Sequence, residues 1–223
     1  MSPVNTYVVA IDGPSGTGKS STAKELSRRL GIEYLDTGAM YRGLSLLARE
    51  AGIAPGDADK LAPLAHKLVF SFPAPGQVIL DGRDVSKTIR APEISSRVSV
   101  DCAIAEVRWV LVERQRAYSR GRSCVLDGRD IGTVVFPEAR FKFFIVCDVA
   151  VRAARRVAEL RAMGMDSNLE DVAKNLQERD LQDSTRAIGP LRKAADAVEI
   201  DTSAITFDEQ VERILSVVRA GIC

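Results

Sequence analysis

The stretch Gly13-Pro-Ser-Gly-Thr-Gly-Lys19-Ser20 constrains this chain more than any other. It follows an apolar run, Tyr7-Val-Val-Ala-Ile11, and leads into a segment with helical periodicity. Strand, glycine-rich loop and helix, with Lys-Ser closing the loop, is the pattern that wraps a phosphate group. Each residue type has a physical reason. Glycines let successive backbone N–H groups turn inward around an anion, and the helix that starts there adds the positive end of its dipole. Lys19 reaches the outer phosphates, and the Ser20 hydroxyl is a ligand for Mg²⁺. Gly13, Pro14, Ser15, Gly16, Thr17, Gly18, Lys19, Ser20 and Ser21 are therefore expected around a nucleoside triphosphate.

The rest of the chain repeats the same alternation. The apolar runs Thr6–Asp12, Ile32–Asp36, Cys124–Asp127, Phe141–Asp148 and Ala197–Asp201 are rich in Val, Ile, Leu or Phe, and each ends at or beside an aspartate. They read as buried parallel strands. Ser20–Leu30 places Ala23, Leu26 and Leu30 on one helical face, with Gly31 as the stop. Thr206-Phe-Asp-Glu209 is a capping box, opening a helix expected to bury Phe207, Val211, Ile214, Leu215 and Val218. The prediction is an α/β fold: a doubly wound, five-stranded parallel sheet with ligands at the carboxyl ends of its strands.

Two segments interrupt that rhythm. Lys67–Phe72 alternates apolar and polar, Pro73-Ala-Pro-Gly76 is a turn, and Gln77–Leu80 is extended again. A small β-rich insert is expected over 67–100, leaving 1–66 and 101–223 as the core. Arg152, Arg155, Arg156 and Arg161 precede the loose stretch Met163-Gly-Met-Asp-Ser-Asn168. A charge run is ordinarily a solvated helix face. Near a triphosphate the same cations suit a helical lid over 152–171. Asp81-Gly-Arg-Asp84 reads as a hairpin turn, and His66 is given no role.

Composition excludes other partners. The chain has 223 residues with 31 basic against 30 acidic side chains, so no global field favours nucleic acid or a membrane surface. No run approaches the roughly 20 apolar residues of a membrane span, and the start lacks a signal-peptide pattern. Cys102, Cys124, Cys147 and Cys223 lack metal-ligand spacing and read as buried thiols of a reducing compartment. A cytoplasmic monomer acting on small molecules is expected.

Three further segments narrow the chemistry: Asp36-Thr-Gly-Ala-Met-Tyr41-Arg42, Asp127-Gly-Arg-Asp130-Ile-Gly-Thr-Val-Val-Phe136, and Glu178-Arg179-Asp180-Leu-Gln-Asp183-Ser-Thr-Arg186. Arginine forks bind phosphate oxygens bidentately, so Arg42, Arg129, Arg179 and Arg186 suit an acceptor phosphate opposite the donor. A noncatalytic ATP-binding module needs none of them. A guanine-nucleotide switch needs an N-K-x-D segment, which the sequence lacks. Asp36 and Asp127 either orient a metal's water shell or simply end their strands.

Together with the phosphate loop these segments resemble the bacterial cytidylate kinases, from Val9 to about the end of the chain. D-G-R-D-x-G-T-V-V-F-P is specific to that family; the loop is not. The resemblance implies an adenylate-kinase-like fold and transfer of the γ-phosphoryl group of ATP, with Mg²⁺, to CMP and dCMP. It implies that Thr37, Arg42, Arg129 and Arg186 contact the acceptor's 5′-phosphate. Arg179 and Asp183 would hold the ribose hydroxyls, and Ser99, Arg108 and Asp130 would read the base. Lys19, Arg129 and the lid cations Arg152, Arg155 and Arg156 would stabilise the transferring group. Asp130 would accept from the cytosine amine, whereas uracil would present an oxygen there, a mismatch of about 1–3 kcal/mol. A kinase for another nucleoside monophosphate, such as UMP, is the alternative.

Overall fold

The computed structural model describes residues 6–162 and 164–222. Along the chain the elements run β1 (Val8–Asp12), α1 (Lys19–Leu30), β2 (Glu33–Asp36), α2 (Thr37–Glu50), α3 (Ala58–Lys67), β3 (Phe70–Ser71), β4 (Ile79–Leu80) and β5 (Arg83–Asp84). They continue with α4 (Pro92–Asp101), α5 (Ala105–Ser119), β6 (Cys124–Gly128), β7 (Phe141–Val146), α6 (Val149–Ala162), α7 (Leu169–Thr185), β8 (Val198–Asp201) and α8 (Phe207–Ile222). A 3-10 turn at Thr88–Arg90 precedes α4, and a π-helical turn at Ile131–Val135 follows β6.

The five expected strands form one parallel sheet in the order β2-β6-β1-β7-β8, four of them slightly shorter than their apolar runs and β6 one residue longer. Alternation along β1 feeds two apolar layers. Val9 and Ile11 join Ala23 and Leu26 of α1 with Val211, Ile214 and Leu215 of α8. Ala10 faces the other side, where Leu35 and Leu126 meet Leu44 of α2, Leu61 of α3 and Leu111 of α5. Helices cover both faces, so every loop leaving a strand's carboxyl end opens on one edge of the sheet. That edge carries the phosphate loop after β1, Thr37 after β2, Arg129 and Asp130 after β6, and α6 after β7.

The helix ends follow their sequence signals. Gly31 stops α1 in the left-handed conformation, its N–H bonded to the Ser27 carbonyl. Before α8, Thr206 Oγ1 accepts from the Glu209 amide at 3.3 Å, while the Glu209 carboxylate accepts from the Thr206 amide at 2.7 Å. Phe207 departs from expectation, with 44% of its surface exposed. The inward place in that first turn belongs to Gln210, whose Nε2 donates to Thr22 Oγ1 at 2.6 Å.

The interruption after α3 begins as a small antiparallel sheet in the order β3-β4-β5. Asp81 and Gly82, with φ of 50° and 80°, form the two-residue turn between β4 and β5, as a type I′ hairpin requires. β structure ends at Asp84, however. From Pro92, at the first turn of a helix where its missing N–H costs nothing, the segment is α4. Val78, Leu80 and Val85 share the apolar layer of Leu44 and Leu61. Arg97 and Asp101 form an ion pair at 2.7 Å on α4, and Asp101 also accepts from Ser45 Oγ at 2.7 Å.

The lid candidate resolves into α6 and α7 packed together, joined through residues 164–168; Met163 lies outside the described residues. Cys102, Cys124 and Cys147 are buried free thiols, and Cys223 also lies outside the described residues. No helix among the described residues is long and apolar enough to cross a membrane.

Candidate active site

Between β1 and α1 the loop bends through Gly16 and Gly18, with φ of 78° and 85°. A Cβ on Gly13 would run into the Ile145 carbonyl of β7, so glycine is required there sterically as well. Lys19 is buried and donates to the Pro14 carbonyl and, at 3.3 Å, to Thr17 Oγ1. Burial and the nearby Arg129 hold its ammonium well below the usual lysine range. An anion at the loop would reverse both penalties. Ser21, the last of the expected loop residues, is exposed.

At the start of α1, Ser20 Oγ donates to Asp127 Oδ2 at 2.6 Å, and Asp127 Oδ1 accepts from the Tyr34 hydroxyl at 2.7 Å. Burial and the neighbouring Asp36 push the Asp127 carboxyl up. A hydroxyl and a carboxylate, both hard oxygen donors beside the loop, fit a small divalent cation. Asp36 has a different task. It caps α2 by accepting from the Ala39 amide at 2.8 Å, and it pairs with Arg42 at 3.0 Å and Arg90 at 2.9 Å. Arg90, on the 3-10 turn, belongs to no sequence motif; only the folding of the insert brings it here.

Arg108, Arg129, Asp130, Asp183 and Arg186, all expected at the acceptor, converge in one network. Asp183 accepts from Arg129 Nε at 2.7 Å and from Arg186 Nη1 at 3.3 Å. Burial opposes its charge, yet Arg129 and Arg186 hold its carboxyl below the ordinary range. Arg108, 2% exposed, donates to Asp130 Oδ2, and its guanidinium lies 5.3 Å from the centre of the Tyr41 ring. Arg186 Nη2 lies 3.7 Å from Asp130 Oδ1, which links the two ion pairs. Thr37 donates to the Asp127 carbonyl at 2.6 Å.

Among the described residues, Arg42 Nε, Arg179 Nε and Arg186 Nη2 are shielded from solvent without a hydrogen-bond partner. Burial together with Arg129 lowers the Arg179 pKa, and burial together with Arg108 lowers that of Arg186. Unpartnered buried donors are costly, and three such guanidinium groups suit an anionic ligand.

Of the lid cations only Arg152 meets the loop. It is buried, and its Nη1 donates to the Ser15 carbonyl at 2.9 Å and lies 2.7 Å from Asp180 Oδ2. Arg155 is engaged with the Thr202 carbonyl at 2.8 Å, and Arg156 with Glu159 at 2.9 Å on the exposed side of α6. Ser99 is half-buried on α4. The neighbouring Ser95 and Ser96 hydroxyls turn back to the Ala91 and Glu93 carbonyls of their own helix.

Two further residues shape the site. Asp12, directly before the loop, accepts from the Ile131 and Gly132 amides at 2.8 Å each and so fixes the turn that carries Asp130. Gly189 accepts from Arg186 Nε at 2.6 Å, and a Cβ there would collide with the Asp130 carboxylate. Asp12 was visible as a strand-ending aspartate; nothing around Gly189 signals its contact.

Comparison with known proteins identifies the family. The family model described as cytidylate kinase matches residues 9–220. The chain is 46% identical over 216 residues to a cytidylate kinase of Desulforamulus reducens, covering 96% of this chain and 97% of that one. It is 44% identical over 214 residues to a cytidylate kinase of Caldanaerobacter subterraneus subsp. tengcongensis, with coverage of 96% and 95%. Among solved structures, an uncharacterized protein from Eubacterium ventriosum aligns with a TM-score of 0.55 at 13% identity, over 97% of this chain and 99% of that one. That last likeness is one of fold alone. The family match and the two relatives each span nearly the whole chain, and the chain belongs to the cytidylate kinase family.

Proposed function

We propose that this chain transfers the γ-phosphoryl group of ATP to the 5′-phosphate of CMP, giving ADP and CDP, with dCMP as a second acceptor. Beyond the family match, the observation that carries this reading is the joined network of Arg108–Asp130, Arg186, Asp183 and Arg129, within one edge of the sheet that also holds the phosphate loop.

The loop N–H groups and Lys19 hold the donor. Ser20 and Asp127 are the groups that would hold Mg²⁺, which when bound supplies positive charge to the donor's outer phosphate oxygens. Arg42, Arg129 and Arg186, with Thr37, dock the acceptor phosphate, and Arg179 and Asp183 hold the ribose. Asp130 accepts from the cytosine amine, Arg108 donates to the other edge, and Ser99 adds a hydroxyl that its helix has not claimed. The attacking phosphate oxygen is already anionic, so no general base is needed. Alignment and charge neutralisation do the chemistry.

Arg152 is the lid cation best placed to act on the transferring group. Arg155 and Arg156 would first have to leave Thr202 and Glu159. In this reading the 67–100 insert is the acceptor-side unit and 152–171 the lid, closing together to keep water from competing as acceptor. A cytoplasmic monomer is part of the same reading; the three buried free thiols suit the reducing compartment but do not bear on oligomeric state.

The test is a coupled assay for ADP release with ATP and Mg²⁺, offering CMP, dCMP, UMP, AMP and GMP separately. Strong turnover with CMP and dCMP and little with UMP supports the reading. Preference for UMP or AMP would retain the kinase and overturn the base pocket.

A further inference from the structure

Asp180 is a carboxylate of this site to which neither donor binding, acceptor binding nor the capping and turn contacts above assign a task. It lies on α7 between Arg179 and the Asp183–Arg186 turn. Its Oδ2 is 2.7 Å from Arg152 Nη1, and its Oδ1 accepts from the Ser15 amide at 3.4 Å. Arg152 in turn donates to the Ser15 carbonyl at 2.9 Å. Both backbone polar groups of one loop residue are thus tied to an ion pair contributed by α6 and α7. Leu176, one turn earlier on α7, flanks the same loop: its Cδ2 lies 3.7 Å from the position a Cβ on Gly16 would take.

A carboxylate on a loop N–H and an arginine occupies the donors a phosphate would use. Two anions cannot share those donors at close range without strong repulsion in a shielded site. We propose that Asp180 is a positioning residue that stands in for nucleotide phosphate on Ser15 and Arg152, and that ATP displaces it. The proposal rests on the reading of this loop as the ATP site. Its consequence lies on the acceptor side. Displacing Asp180 shifts α7 and therefore Arg179, Asp183 and Arg186, so the ATP and CMP affinities are coupled. By linkage the coupling is the same in both directions.

Calorimetric titration of ATP with Mg²⁺ into the wild-type protein, Asp180→Asn and Asp180→Ser tests this. CMP is then titrated with and without a non-hydrolysable ATP analogue. Both variants are expected to bind ATP more tightly, by about fivefold or more, and to lose most of the analogue's effect on CMP affinity. Unchanged or weaker ATP binding in both variants overturns the proposal, because the carboxylate would then be supporting the loop rather than competing with the nucleotide. Absence of ATP binding by the wild-type protein would instead overturn the donor reading, and this proposal with it. Asp180→Ser keeps the test decisive if the asparagine amide perturbs the fold.

Discussion

Ser20 and Asp127, 107 residues apart in sequence, share a hydrogen bond of 2.6 Å that joins the start of the helix after the phosphate loop to the end of the neighbouring strand. The contact gathers hard oxygens where a divalent cation would sit beside the donor phosphates. It also fixes Asp127 from one side while Tyr34 fixes it from the other.

Asp127→Asn should therefore lower kcat by about 10²–10³, the usual cost of losing one electrostatic contact to the transferring group. The KM for CMP should change little, and the Mg²⁺ concentration giving half-maximal rate should rise. Steady-state rates across a Mg²⁺ series measure all three. A normal kcat with an unshifted Mg²⁺ dependence would remove Asp127 from the donor site.

Under the proposed function Asp130 meets the other substrate, the acceptor base. Asp130→Asn retains the side chain's volume and introduces an amide N–H donor where, in that reading, the carboxylate would repel a uracil oxygen. The CMP/UMP ratio of kcat/KM should fall about tenfold or more, consistent with ~1–3 kcal/mol for a mismatched buried polar group. The KM for ATP should hold. A ratio equal to wild type would show that the base is read elsewhere.

Not every buried charge belongs to the chemistry. Asp101 is fully buried, paired with Arg97, and holds Ser45 Oγ and the Gly56 amide. Asp101→Ala leaves the Arg97 guanidinium buried without its partner, at a cost of about 3–5 kcal/mol. Urea unfolding should show that loss, while the folded fraction should retain a wild-type ratio of CMP to UMP turnover.

What the sequence could and could not announce follows from the range of each interaction. Buried parallel strands announce themselves because both faces need apolar side chains, as in Val8-Val-Ala-Ile11. The phosphate loop, the Thr206–Glu209 capping box and the Asp81-Gly82 turn are local in the chain and were legible for that reason. Helical period could not locate Phe207, because it gives a face but not how far the neighbouring layer extends. The β-like mixture of valines and serines over 95–100 obscured α4, although Pro92 marked its start. Arg90 on Asp36, Gly189 against Asp130 and the division of labour among Arg152, Arg155 and Arg156 depend on contacts between distant segments. No spacing rule reports those.

Asp12 offers a test through proton linkage. Burial, only partly offset by the two amide hydrogen bonds, pushes its carboxyl from the ordinary 3.8 up to about 7. A carboxyl raised on folding makes the native state hold more protons than the unfolded chain in that interval. Stability must then fall as pH rises from 3.8 to about 7, and level off above it. The size is on the order of a few kcal/mol, since a tenfold difference in proton affinity between the folded and unfolded chain is worth about 1.4 kcal/mol. Asp12→Asn removes the titration while keeping an acceptor for one of the two amides. Its baseline stability should be lower at low pH, but the difference from wild type should narrow steadily towards pH 7. Urea unfolding of both proteins at half-unit intervals from pH 4 to pH 8 measures that difference. A gap that stays constant across the series would mean Asp12 is charged throughout, held so by Lys19 and the Ile131 and Gly132 amides despite its burial.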